Sequence, residues 1–148
     1  MTTDSKGSQN NISKIPFLFV DDEPLAHKVI KKNLKDWNIT SAFSGQEAME
    51  ILETNPIQLV VTDIGMPGMD GIELLQQIKK KNPIIQVIIV SGSEDIADLI
   101  STLEAGANDF LLKPLKKNEL EDALLNTVSK IKRWKKTMKE IFINKRNN

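Results

Sequence analysis

The stretch Ile57–Lys81, IQLVVTDIGMPGMDGIELLQQIKKK, decides the fold. Residues Ile57–Thr62 form a short apolar run of buried-strand type, with Pro56 before it and Asp63 after it. A loop bearing Gly and Pro follows. Asp70-Gly71-Ile72-Glu73 then fits a capping box, an acceptor with a Glu three places on. The pattern predicts a helix to about Lys81, with Asn82-Pro83 beyond it. A strand ending in a carboxylate, a tight loop and a helix make one βα unit.

The unit recurs on both sides. Upstream, Ile15–Val20 reads as a first strand, and Pro24–Trp37 has helical spacing at Leu25, Val29, Ile30 and Leu34. Ile39–Phe43 is a second strand. Ser44 and Glu47 then open a helix to about Glu53, ended before Pro56. Downstream, Ile84–Val90 is a fourth strand. Ser93–Ala105 is a predicted helix with Ile96, Leu99, Ile100 and Leu103 on one face, and Gly106 in the place of a C′ glycine. Asp109–Leu112 is the fifth strand, and Asn118 with Glu121 starts a last helix that has no stop before Asn144. The first, third and fourth strands are nearly unbroken apolar runs, as parallel strands covered on both faces require. Right-handed crossovers then give an α/β fold of flavodoxin-like (βα)₅ type. It has a doubly wound, five-stranded parallel sheet and an extended C-terminal helix.

Composition narrows the chemistry. The chain has 148 residues, 40% hydrophobic and 27% charged, which suits one domain with tails. A domain of this size buries roughly 70% of its unfolded surface, so it folds without metal or disulfide. Cysteine is absent, which removes disulfides, Cys zinc sites, Cys nucleophiles and thiol redox chemistry. His27 is the sole histidine, which argues against a multi-His metal site or a Ser-His-Asp triad. Apolar runs such as Ile15–Val20 and Val87–Val90 fall far short of the about 20 residues of a membrane span. The polar start has no signal-peptide core, and a cytoplasmic protein is expected. Residues 1–13 read as a flexible tail, 14–131 as the folded domain and 132–148 as a basic helical extension or linker. Residues 127–148 hold eight basic side chains and one acidic, so the tail is strongly positive. The other 126 residues hold 12 basic and 19 acidic, so the body is negative. Eighteen of the 20 cations are lysine, whereas base-edge readers favour arginine.

Doubly wound sheets bind ligands beyond the C-terminal ends of their strands. Here those ends carry Asp21-Asp22-Glu23, Asp63, Ser91 and Lys113-Pro114. Three aspartates on one rim would repel, and one would stay protonated, unless a cation joined them. Mg²⁺ suits such a set, because it takes oxygen ligands and commonly bridges carboxylates to a phosphate. Lys113 adds a point charge for a phosphate oxygen, and Ser91 a hydrogen bond. These are the parts needed to move a phosphoryl group onto a carboxylate.

At these positions the chain resembles the receiver (phosphoacceptor) domain of bacterial two-component response regulators. The resemblance runs from about Ile15 to Ile131. It is carried by Phe17–Glu23 (FLFVDDE), Val60–Gly71 (VVTDIGMPGMDG), Ser91-Gly92, Gly106–Phe110 (GANDF) and Lys113-Pro114. It implies that Asp63 is the phosphoacceptor, Asp22 a direct Mg²⁺ ligand, Asp21 a ligand through water or a positioning group, and the Gly65 carbonyl a further ligand. It implies that Lys113 contacts both Asp63 and the phosphoryl group, that Ser91 is the switch hydroxyl and Phe110 the switch aromatic, and that Lys113-Pro114 is cis. The phosphodonor would be a histidine kinase, a phosphotransfer protein or a small phosphodonor. The output would be a rearranged face of the fourth helix, fifth strand and fifth helix. The chain would be no enzyme toward a separate substrate, catalysing only its own phosphorylation and dephosphorylation. Two positions depart from the commoner pattern. Gly65 offers no side chain to shield or orient a hydrolytic water, and Ser93 is small and neutral.

Rival readings are weaker. An aspartyl-phosphate phosphatase of the haloacid-dehalogenase type wants a second Asp where Gly65 stands. A mononucleotide-binding flavodoxin relative would need a glycine-rich phosphate loop that is missing. The 17 residues after Ile131 are too few for a helix-turn-helix domain, so no direct DNA binding is expected. The chain could equally be the receiver part of a larger regulator or hybrid kinase. Leu120, Leu124, Thr127, Ile131, Trp134, Met138 and Ile141 fall at alternating spacings of four and three. Past about Lys130 that stripe has no sheet to cover. It would pair with a second copy or an adjacent domain as a coiled coil, lead to an output domain, or stay solvated. His27 is expected on a surface or half-buried helix face.

Overall fold

Alternating strands follow each other in register along one parallel sheet in the computed structural model, which describes residues 15–147. The elements are β1 (Phe17–Val20), α1 (Pro24–Asn33), β2 (Ile39–Ala42), α2 (Gly45–Thr54), β3 (Leu59–Asp63), α3 (Gly71–Lys81), β4 (Gln86–Ser91), α4 (Ile96–Glu104), β5 (Asp109–Leu112) and α5 (Lys117–Asn147). The strand order is β2-β1-β3-β4-β5, every pairing parallel. This is the doubly wound (βα)₅ architecture that the sequence predicts. The order reverses between β1 and β3, the switch point where such sheets place ligands. The expected tail at residues 1–13 lies outside the described residues.

Strand alternation sorts the core into two layers. Phe17 and Phe19 of β1 face α1 and α5, packing with Ile30, Leu34, Leu124 and Ile131. Leu18 and Val20 face the other way, onto Ala48 of α2 and Leu74, Leu75 and Ile78 of α3. The caps form as their residues dictate. Ser44 Oγ accepts from the Glu47 N–H at 3.1 Å, and Asp70 Oδ1 accepts from the Glu73 N–H at 2.8 Å. Gly106 adopts φ +95°, the left-handed C′ conformation that ends α4.

Three sequence expectations need correction, on the end of α1, the start of α4 and the burial of His27, and the packing of α4 adds a finding. Helix α1 ends at Asn33, short of Trp37. Trp37 instead packs edge-on against Phe17, ring centroids 5.9 Å apart. Helix α4 begins at Ile96, because Ser93 and Ser91 bind backbone N–H groups two residues ahead of them. Such local bonds compete with helix formation, and Asp95 becomes the cap. The apolar stripe of α4 does not meet the core: Ile96, Ile100 and Leu103 are 70%, 49% and 55% exposed, while Thr102 is its one buried residue. His27 is buried, only 3% exposed, for reasons that belong to the site.

Helix α5 runs unbroken for 31 residues. It covers the sheet through Leu120, Leu124, Val128 and Ile131, after which Met138, Ile141, Phe142 and Ile143 are exposed. Among the described residues no helix is long and apolar enough to cross a membrane.

Candidate functional site

The rim of the sheet gathers its polar groups at the ends of β1, β3, β4 and β5. Asp21 continues the β1 ladder, its N–H donating to the Ala42 carbonyl at 3.2 Å. The chain then turns, because Asp21 Oδ1 accepts from the Glu23 N–H at 2.9 Å. That bond places Asp22 at the pocket mouth, half-buried. Asp63 is the last residue of β3 and is buried. Carboxylate oxygens of Asp21, Asp22 and Asp63 all lie within 4.8 Å of one another.

Lys113 comes from the end of β5. Its N–H donates to the Ser91 carbonyl at 2.8 Å, and the following Lys113-Pro114 bond is cis. The Nζ stands 3.2 Å from Asp21 Oδ2 and 3.4 Å from Asp63 Oδ1. One ammonium therefore faces three carboxylates. Burial, together with the neighbouring charge of Asp21, pushes the Asp63 carboxyl above its ordinary range, although Lys113 pulls the other way. Burial disfavours the Lys113 charge, but Asp63 and Asp21 outweigh it and raise the ammonium above its usual value.

This donor set fits a hard divalent ion. Three converging carboxylates with a single fixed cation carry excess negative charge, and their oxygens suit Mg²⁺. Both Asp21 oxygens are engaged, one by the Glu23 N–H and one by Lys113. Asp22 and Asp63 are left freer to reach an ion directly.

Ser91 ends β4, buried, and its Oγ accepts from the Ser93 N–H at 3.0 Å. Phe110 lies in the edge strand β5, half-buried against the α2–α3 layer. Gly65 sits in the exposed loop after β3, and a Cβ there would meet no atom within 4 Å. Its missing side chain therefore leaves the rim open. Asp21, Asp22, Asp63, Gly65, Ser91 and Lys113 thus lie at this rim, with Phe110 in the adjoining strand β5.

Two supporting residues were not legible as such. The first is Gly71, where a Cβ would overlap the carbonyl oxygen of Asp63. Only glycine lets the start of α3 come that close, and its N–H donates to the Ile64 carbonyl at 2.9 Å. The second is His27. Its Nε2 lies 2.7 Å from the Asp21 carbonyl oxygen and its Nδ1 3.0 Å from Ser41 Oγ. A carbonyl only accepts, so Nε2 carries the proton and donates. The ring sits between Phe19, edge-on with centroids 4.9 Å apart, and Phe43, tilted by 32° with centroids 4.2 Å apart. A lone histidine on an apolar helix gives no sequence signal for this.

Beside the pocket, between α1 and the connection from β5 to α5, lies a groove of about 290 Å³. Leu25, Val29, Pro114 and Leu120 line it, with Asp21 and Lys113 at one end. Leu25 and Val29 are exposed.

Known proteins share this fold. A family model described as the response regulator receiver domain matches residues 17–125. A receiver domain from Clostridium thermocellum, solved by crystallography, superposes with a TM-score of 0.75 at 32% identity, over 80% of this chain and 98% of that one. The receiver domain of the Francisella response regulator 1452 superposes at 0.74 and 31% identity, over 79% and 98%. The transcriptional regulatory protein ZraR of Salmonella typhimurium is 34% identical over 113 residues, 75% of this chain and 26% of that protein. A Rickettsia conorii protein named for its likeness to NtrX is 35% identical over 140 residues, 90% of this chain and 30% of that protein. The chain spans less than half the length of these curated relatives.

Proposed function

The chain belongs to the response regulator receiver family of two-component signal transduction, and from that premise we propose that Asp63 accepts a phosphoryl group and that the modified pocket reshapes the α4-β5-α5 face. One observation carries the reading: Lys113 Nζ bridges Asp21 and Asp63 inside a cluster of three carboxylates.

In the proposed transfer, an Asp63 carboxylate oxygen attacks the phosphorus of a phosphohistidine on a histidine kinase or phosphotransfer protein. The new P–O bond forms as the P–N bond breaks, and the imidazole leaves with the bonding pair. Lys113 is within ion-pair distance of Asp63 and can follow the charge onto the phosphoryl oxygens. Asp22, Asp63 and the Gly65 carbonyl would hold Mg²⁺, with Asp21 in support, and the bound ion would supply further positive charge. Ser91 can turn its hydroxyl from the Ser93 N–H toward a phosphoryl oxygen. Phe110, only half-buried, can then move into the space behind it. Helix α4, anchored by little more than Thr102, is the element such a shift would displace most easily. The groove beside Lys113, with exposed Leu25 and Val29, offers the phosphodonor protein an apolar landing next to the pocket. The reading makes the chain a cytoplasmic switch that acts only on itself. Other proteins read its output face.

Acetyl phosphate with Mg²⁺ tests this by intact mass. The wild type gains one phosphoryl group and Asp63→Asn gains none. A gain on the Asn variant would overturn the assignment.

A further inference from the structure

Two surfaces of the chain are left apolar, exposed and oppositely charged. One is α4, with Ile96, Ile100 and Leu103 outward on one face at i, i+4 and i+7. From Asn82 to Leu112 the chain has no Lys, Arg or His, but it has Glu94, Asp95, Asp98, Glu104 and Asp109. The other is the end of α5. Residues 132–147 carry seven cations and one anion, with Met138, Ile141 and Phe142 exposed. Lys135 and Lys139 border Met138 and Phe142. Among the described residues none of these tail cations has an ion-pair partner.

We propose that the basic end of α5 of one copy docks on the acidic, apolar α4 of a second copy, and that the exchange is reciprocal. Charge complementarity argues for this occupant. Two tails zipped against each other would set lysines beside lysines, whereas on α4 each tail meets carboxylates and a matching apolar stripe. The contact must be between copies. Helix α5 is continuous, and its 16 residues past Ile131 extend about 24 Å at 1.5 Å per residue. It packs on the α1 side of the sheet, so it cannot turn back onto its own α4 without breaking. Reciprocal docking closes a two-fold dimer. The inference gives the proposed output face an occupant, yet needs no phosphorylation.

The test uses the unmodified full chain, so its failure would leave the Asp63 reading standing. Sedimentation of the wild type should show a concentration-dependent dimer. Raising salt from about 0.1 M to about 1 M, where the screening length falls from about 10 Å to about 3 Å, should weaken it. Glu94→Lys with Glu104→Lys reverses two charges on the α4 surface, and Lys135→Glu with Lys139→Glu reverses two on the tail. Each variant alone should dimerise at least about tenfold more weakly, because each reversed position exchanges an attraction for a repulsion at both reciprocal contacts. An equal mixture of the two should dimerise again, which also proves both folded. A wild type that stays monomeric would overturn the proposal. So would a mixture that fails to associate, or a tail variant that dimerises as tightly as the wild type or tighter, the result expected of tail-to-tail pairing.

Discussion

Helices α3 and α4 are neighbours in sequence and carry similar apolar stripes, yet the structure treats them oppositely. Helix α3 sinks Leu74, Leu75 and Ile78 completely into the layer under β1 and β3, and Gly71 lets its first turn touch the end of β3. Helix α4 turns Ile96, Ile100 and Leu103 outward and buries only Thr102. The helix that holds the Asp63 loop is thus fixed by packing. The helix proposed to report the state of Asp63 is held loosely. A switch needs both: a pocket whose geometry does not drift, and a readout element whose two positions differ by only a few kcal/mol.

The sharpest way to break the contrast is to cut into α3. Leu75→Ala should cost about 2–5 kcal/mol in denaturant unfolding, the range for a buried leucine. A cost under about 1 kcal/mol would mean that α3 is no better anchored than α4.

The pocket itself supplies the next test. The folded protein holds the Asp63 proton more tightly than the unfolded chain does, because burial raises that carboxyl. This contribution to stability is present at pH below the ordinary carboxylate range. It is lost as pH rises from there through the raised folded value. In EDTA near neutral pH, Asp63→Asn should therefore melt above the wild type, with a flatter stability profile across that acidic window. Mg²⁺ at about 100 times its Kd should add about 2.7 kcal/mol to the wild type and less to the variant. A variant that melts lower in EDTA would contradict the excess negative charge assigned to the rim.

His27 belongs to the fixed side of the comparison. His27→Phe keeps the ring between Phe19 and Phe43 but leaves the Asp21 carbonyl without its donor. The cost should be about 1–3 kcal/mol, as for other buried groups left unsatisfied. Mg²⁺ affinity should fall with it, since the β1 end is no longer tethered. His27→Gln, which can still donate, should recover part of that affinity. Equal affinities in all three proteins would reduce His27 to packing alone.

What the sequence made legible follows the range of the interactions. Strands β1, β3 and β4, the Ser44 and Asp70 caps and Gly106 are set by residues within a few places of one another, and they form as read. The rim residues were legible because β1, β3, β4 and β5 each end at a charged or hydroxyl side chain, and the sheet brings those ends together. Burial of His27 was not, because it depends on Ser41 and Phe43, 14 and 16 positions away. The close approach at Gly71 depends on where α3 lands against β3. The period of Ile96, Ile100 and Leu103 announces a helix, but not whether a core lies under it. In α4 the stripe faces out.

The smallest effect is the other half of the first test. Ile100→Ala removes a large aliphatic side chain from α4, as Leu75→Ala does from α3. Ile100 is 49% exposed, so it should change stability by no more than about 0.5 kcal/mol in the dilute monomer, as surface substitutions do. Alanine is also the better helix former, which offsets part of the lost contact. A cost near that of Leu75→Ala would place α4 in the core and remove the soft element the switch requires. A near-zero cost, alongside the large one at Leu75, is what a rigid pocket with a loosely held reporter demands.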